Sequence, residues 1–302
     1  MTDPVSGPVV ITGANGFVGA RACAAVVERG ATVRAVVRRA GTAPVLPGVE
    51  EHVGDFGDTI FAATVLAGAG AAVTTVHPMG SDRATQQRVG VEATAAFARA
   101  AASTGVDRLV HVSTAAVYDR SPAAGDVDES SALVGDGGND YAVTKRDTDA
   151  AIATVDGLTR VLVRPPAILG AGDTSVWNTL RPDEMRDDPT ERRTPPEGTF
   201  AWVHVDDLAA LLADLATGRV ADAEDAAAGP VTGACTPVNV AAERATQRDY
   251  YTTVTGALGV EPEWLDTPAW TGRIVADRAR SWGWTPRIAL DDALAEIRAG
   301  LG

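Results

Sequence analysis

The sequence predicts an α/β fold, a doubly wound parallel sheet with a smaller C-terminal substrate-binding lobe. Three observations carry this expectation. Short β-branched runs alternate with longer helical segments through the first half, a glycine-rich turn joins the first run to the first helix, and all six tryptophans lie at or beyond position 177, where the alternation loosens. Strands alternating with helices read as βαβ units of a parallel sheet. The expected division is residues 1–165 for the sheet domain and 166–302 mainly for the lobe, with segments around 200–240 returning to the sheet.

Taken in order, Val9 to Thr12 reads as a strand, followed by the glycine turn, a helix from Ala20 to Arg29, and a second strand from Thr32 to Val37. Strands follow around Val49 to Val53, Ala72 to Val76 and Arg108 to Val112. Helices near Thr59 to Leu66 and Gln86 to Thr104 separate them. From Ala115 to Asp140 the chain turns small and acidic (Asp126, Asp128, Glu129, Asp136), which predicts a long loop. A helix from Tyr141 to Val155 and a strand from Thr159 to Arg164 restore the rhythm, until Pro165, Pro166, Gly170 and Gly172 interrupt it.

Composition excludes several classes. The 302 residues are 45% hydrophobic and 22% charged, as in soluble globular proteins. Lys and Arg number 26 against 40 Asp and Glu, a net charge of −14, the wrong sign for a surface that neutralises nucleic-acid phosphates. No stretch approaches the ~18 consecutive apolar residues of a membrane span, and no leader peptide is recognisable, so a cytoplasmic location is expected. Cys23 and Cys235 belong to no CxxC or Cys/His spacing, so neither a metal site nor a disulfide framework is expected.

The chemistry begins at Gly13, Ala14, Asn15, Gly16, Phe17, Val18 and Gly19, a GxxGxxG run between strand and helix. Glycines there allow a tight turn, a close approach of backbone N–H groups to a pyrophosphate, and tight packing of helix on sheet. This context predicts a dinucleotide site of the Rossmann type. At the end of the second strand, where an acid would bind the ribose of NAD, the chain has Arg38 and Arg39. Two guanidinium groups suit a 2′-phosphate, so NADP(H) is favoured over NAD(H). Asp55 lies after the third strand, too far along for the ribose and better placed for adenine. Tyr141 and Lys145, four apart on a predicted helix, share one face. There the ammonium is expected to bring the phenol, which ordinarily titrates near ~10, into working range for proton transfer. One of Ser113 and Thr114, at the end of the fifth strand, completes the set by holding a substrate oxygen.

With these residues the chain resembles the extended short-chain dehydrogenase/reductases, the NAD(P)-dependent epimerase/dehydratase family, over nearly its whole length. The likeness rests on TGANGFVG at 12–19, GDF at 54–56, HVSTAAVY at 111–118, YAVTK at 141–145, RPPAILGAGD at 164–173 and WVHVDDLA at 202–209. It implies Thr114 as the catalytic hydroxyl, Tyr141 as acid/base, and Lys145 as electrostatic partner and ribose ligand. It also implies cofactor contacts from Asp55 and Phe56 and, beside the nicotinamide, from Pro166, Ala167 and Ile168. Arg38 matches the position of an arginine in NADPH-dependent reductases resembling dihydroflavonol reductase. Three departures stand out. Gly90 replaces a customary Asn, His77 and Pro78 replace a small Ala-Ala pair near the nicotinamide ribose, and Asp149 replaces a Glu, the last expected to matter little. His77, placed among the cofactor-site residues, is expected either to contact substrate or to narrow the pocket, the alternative being a histidine merely packed at a strand end. His204 and Asp206 resemble a metal or acid/base fragment but fall at a strand-to-helix turn, where Asp206 or Asp207 is expected to cap the helix.

The function expected is an NADP(H)-dependent oxidoreductase moving hydride between nicotinamide and a carbonyl or carbinol carbon, in the direction of ketone reduction. One alternative is a sugar-nucleotide epimerase or dehydratase with tightly held NAD, for which Arg181, Arg186, Arg192 and Arg193 offer candidate phosphate ligands. Another is a non-catalytic NADP-sensing regulator. The expected partner is a small-molecule substrate. The resemblance also suggests a homodimer through the helices at Gln86 to Thr104 and Tyr141 to Val155.

Overall fold

A computed structural model describes residues 7–302; the N-terminal segment read for a leader peptide begins outside them. Six strands carry the first half: β1 Val9–Thr12, β2 Val33–Val37, β3 Val49–Val53, β4 Ala71–Thr74, β5 Arg108–Val112 and β6 Thr159–Arg164. A seventh strand, Cys235–Asn239, pairs with β6, and the order across the sheet is Cys235–Asn239, β6, β5, β4, β1, β2, β3, with every neighbour parallel. The fold is the doubly wound α/β sheet the sequence predicts. Strands β1, β4, β5 and β6 are buried along their whole length, as parallel strands covered on both faces must be. Edge strand β3 instead exposes Glu50 and Glu51, which discourages pairing with another chain.

The order reverses between β1 and β4, and the crevice beyond their carboxyl ends is where such sheets bind ligands. One face of the sheet is covered by the helices Phe17–Glu28 and Val205–Ala216 around a core that includes Ile11, Val73, Val110 and Leu212. The other is covered by Thr59–Leu66, Thr94–Ser103 and Asp140–Ala153 around Val10, Phe97, Leu109 and Ile152. A third apolar cluster joins Leu169, Met185, Phe200, Trp202, Tyr250 and Ile297. Within it Phe200 stacks on Tyr250 at 4.5 Å, and Trp177 meets both rings edge-on. Ala167–Leu169 and Trp202–His204 form their own two-stranded parallel pair.

Several boundaries differ from expectation for local reasons. The first helix begins at Phe17, because Gly16 serves as its N-cap. Strand β4 ends at Thr74; the Thr75 hydroxyl donates to Thr12 O at 2.8 Å, a side chain taking over from the ladder. Strand β5 ends at Val112, so Ser113 and Thr114 lie just beyond it. The helix expected from Gln86 starts at Arg83, where the Asp82 carboxylate accepts the Thr85 N–H at 2.8 Å, and continues as π-helix through Gln86–Ala93 before Thr94–Ser103. Such bulges carry an extra residue per turn and often occur at functional sites.

Candidate active site

The glycine loop leaves β1 at the crevice. Gly13 adopts φ +68, in the left-handed region that favours glycine, and any Cβ there would stand 2.7 Å from Thr75 Oγ1. A Cβ at Gly19 would overlap the Gly13 carbonyl oxygen and lie 2.8 Å from its carbon and 3.0 Å from Ala14 Cα, all backbone atoms that cannot yield cheaply. The helix therefore rests directly on the loop. Its first turn has neither a side-chain cap nor an acid, which leaves N–H groups facing the crevice and able to hold a phosphate. Asn15 is exposed on the loop, Val18 packs against the core, and the Phe17 ring lies against Gly170 and Gly172. These residues fit a dinucleotide, since the cradle closes only with glycine at 13 and 19.

Arg38 and Arg39 follow β2, both exposed, and neither side chain joins an ion pair among the described residues. The nearby Glu51 carboxylate is occupied, accepting the N–H groups of Gly41, Thr42 and Ala43 at 2.9, 3.0 and 2.9 Å, bonds that hold its pKa below the usual range. Asp55 is exposed and accepts the Gly57 N–H at 2.9 Å, while Phe56 is buried edge-on to Phe97. Pro166, Ala167 and Ile168 are half-buried on the short pair that ends at Leu169.

Thr114, Tyr141 and Lys145 come together beyond β5. The Thr114 oxygen accepts the Ala116 N–H at 3.1 Å, and its hydroxyl stands near enough to the Tyr141 phenol to lower that group's pKa against the stronger effect of burial, which raises it. Asn139 caps the helix that carries Tyr141 and Lys145, accepting the Ala142 N–H at 2.9 Å. Buried Lys145 donates to Val112 O at 2.6 Å, and desolvation lowers its pKa to about 8 despite the opposing pull of Asp149. Burial thus moves the two groups in opposite directions, the phenol up and the ammonium down. Near neutrality the site holds a charged Lys145 and a protonated phenol.

The sequence reading missed what lies beneath. Asp149 is buried one turn beyond Lys145, and its Oδ2 accepts from Arg164 Nε at 3.0 Å. Arg164 Nη1 donates to Tyr118 Oη at 2.8 Å, and Tyr118 in turn donates to Asn239 Oδ1 at 2.8 Å. Asp149 thus anchors a buried polar chain from the Lys145 helix to β6 and the seventh strand. The i,i+4 spacing of Lys145 and Asp149 was its only sequence signal. His77, at the end of β4, packs edge-on against Tyr141 with ring centroids 5.1 Å apart.

Other candidates resolve differently. His204, rather than Asp206 or Asp207, caps the helix Val205–Ala216, its Nδ1 accepting the Asp206 N–H at 3.2 Å. Asp206 lies 3.5 Å from Arg21, and Asp207 accepts the backbone N–H groups of Arg287 and Ile288. Arg181 pairs with Glu184 and Glu191, Arg186 with Asp183, and Arg193 with Glu263, while Arg192 donates to the carbonyls of Met185 and Arg186. Among the described residues no group of three or more His, Cys, Asp or Glu gathers as metal ligands, and no helix is long and apolar enough to cross a membrane.

A family model described as the NAD dependent epimerase/dehydratase family matches residues 9–225, most of the chain. The chain belongs to this family. Among curated relatives, a 4-hydroxy-2-methyl-3-oxo-4-farnesyl-3,4-dihydroquinoline-1-oxide ketoreductase of Stigmatella aurantiaca is 34% identical over 176 residues, 55% of this chain and 51% of that protein. A ceramide reductase of Caulobacter vibrioides is 29% identical over 218 residues, 70% of this chain and 62% of that protein. The chain thus matches between half and two thirds of the length of these relatives. A dTDP-glucose 4,6-dehydratase (DesIV) double mutant from Streptomyces venezuelae, with NAD and DAU bound, superposes at TM-score 0.75 with 20% identity, covering 97% of this chain and 96% of that one. The Bordetella bronchiseptica enzyme WbmG in complex with NAD superposes at TM-score 0.71 with 18% identity, covering 97% and 93%.

Proposed function

We propose that the protein is an NADP(H)-dependent carbonyl reductase acting on a small molecule that carries no nucleotide diphosphate. The observation that carries this reading is the exposed Arg38 and Arg39 pair just after β2, with no acid partner among the described residues and with Glu51 already engaged. Bound in the glycine cradle, the nicotinamide cofactor would supply the hydride. The chain supplies the rest. Gly13, Asn15, Gly16, Phe17, Val18 and Gly19 hold the pyrophosphate, Arg38 the 2′-phosphate, Asp55 and Phe56 the adenine side, and Pro166 and Ile168 the nicotinamide side. Thr114 positions the carbonyl oxygen, and Tyr141 gives it a proton from the phenol. Charged Lys145, one turn away, favours the phenolate that remains. A phenol that keeps its proton at neutral pH suits reduction, which needs an acid.

Two further observations favour this over sugar-nucleotide chemistry. Arg181, Arg186, Arg192 and Arg193 are already paired or bonded to backbone, so none is free for a diphosphate. The names of the two curated relatives above are those of reductases. The test is a fluorescence titration of the purified protein with NADPH and NADH, with Arg38→Asp alongside, followed by a panel of ketones and aldehydes. Removing a charge-assisted contact should weaken NADPH binding by about 10- to 100-fold and leave NADH binding little changed. Preference for NADH, or NAD that co-purifies, would refute the reading and favour an epimerase or dehydratase.

A further inference from the structure

The wall between β4 and Tyr141 contains a small, closed arrangement. His77 Nε2 lies 3.2 Å from Gln86 Oε1, and the Gln86 amide nitrogen donates to Ser81 O at 2.8 Å. A carbonyl can only accept, so the amide orientation is fixed and Nε2 is the nitrogen of His77 that carries hydrogen. The hydroxyl of Thr144, adjacent to Lys145, stands 3.0 Å from the same Gln86 oxygen, its one proton shared between that oxygen and the carbonyls of Asp140 and Tyr141. The imidazole meets the Tyr141 ring at 82°, a favourable edge-to-face geometry. On its other side a Cβ at position 90 would stand 2.9 Å from His77 Nδ1 and 3.0 Å from Cε1. The ring therefore fills space that a side chain at 90 would need. His77 and Gly90, two separate departures from the family pattern in sequence, are one feature in space.

The charged and titratable groups around the ring are His111 on β5 and Tyr141 and Lys145 on the helix Asp140–Ala153. Burial and the charge of Lys145 lower the His77 pKa to about 4, so the ring is neutral in the working range and acts by shape and hydrogen bonding.

We propose that His77 is a positioning residue for Tyr141: the imidazole, held by Gln86, braces the phenol ring from the β4 side, and glycine at 90 provides the room. This rests on the reading of Tyr141 as proton donor. The test compares His77→Ala, His77→Phe, Gly90→Ala and the double variant His77→Ala/Gly90→Ala, by NADPH titration and by kcat and KM for a carbonyl that the wild type reduces. Gly90→Ala and His77→Ala should each lower kcat by roughly tenfold or more, since small misplacements of reacting groups are costly, with NADPH affinity within about twofold of wild type. His77→Phe keeps the edge contact and should recover most of kcat. The double variant should match His77→Ala, because the added methyl then has no ring to displace. Unchanged kcat in His77→Ala, a loss confined to NADPH affinity or KM, or losses that multiply in the double variant would each overturn the proposal. If the wild type reduces no carbonyl, the proposed function fails, but the brace is still measurable without substrate. Tyrosinate absorbance of each protein, minus that of its Tyr141→Phe counterpart, reports the phenol midpoint. Opening the β4 side to water in His77→Ala should move it down toward ~10, and an unmoved midpoint refutes the brace.

Discussion

Lys145 is held at a cost to stability, and Lys145→Met should expose that cost. Burial displaces the lysine pKa from 10.5 to about 8, which corresponds to roughly 3 kcal/mol of destabilisation while the folded lysine is charged. Methionine removes that penalty at similar length. It also removes the hydrogen bond to Val112 O, which takes back about 1–2 kcal/mol, the pull of Asp149 being already contained in the net shift. The net gain expected at pH 7 is therefore about 1–2 kcal/mol, with activity abolished. The pH dependence gives the sharper signature. For a lysine with a depressed folded pKa, the unfolded chain binds the proton more tightly, so the penalty is complete below pH 8 and disappears as pH rises to 10.5. Urea unfolding of both proteins at pH 7, 9 and 10.5 should show the advantage of methionine shrink and then reverse. A stability difference that stays constant from pH 7 to 10.5 would refute the argument.

The same titration should appear in catalysis. For reduction, kcat/KM is expected to fall on the alkaline side with a pKa about 8, as free Lys145 loses its charge, and a profile flat to pH 10 would contradict this role. Gly19→Ala places a methyl group on the Gly13 backbone, and the resulting overpacking of about 1–3 kcal/mol should weaken NADPH binding by roughly 10- to 100-fold in a fluorescence titration. Asp149→Ala leaves the Arg164 guanidinium buried without its carboxylate and should cost about 3–5 kcal/mol in chemical denaturation, far more than an exposed ion pair such as Arg193–Glu263.

What the sequence disclosed and what it concealed follow from the range of the interactions. The sheet was legible because each strand announces itself locally: Val9–Thr12 and Thr159–Arg164 fall where the apolar runs predict them, since the centre of a parallel strand buried on both faces, Val161–Val163 here, is apolar. The glycine loop was legible because its geometry forbids side chains at fixed spacing. Boundaries slipped where one side chain decided them, as when Asp82 started a helix three residues early or His204 rather than its acidic neighbours capped another. Position 149 was read as a conservative change because its partner, Arg164, is fifteen residues away on another element.

The departures near the nicotinamide side show the same limit in a more instructive form. Read along the chain, a histidine at 77 is a large ring entering the site and a glycine at 90 a missing polar group, two unrelated departures. In space the two changes offset each other, because the volume added at the end of β4 is the volume withdrawn from the π-helical turn facing it. An α-helical turn would carry one residue fewer across Gln86–Ala93 and would shift Gln86 relative to Gly90, separating the group that ties the imidazole from the gap that admits it. The bulge, the glutamine, the histidine and the glycine therefore have to change together, so substituting Gln86 or Gly90 should act on Tyr141 through the imidazole without touching the phenol.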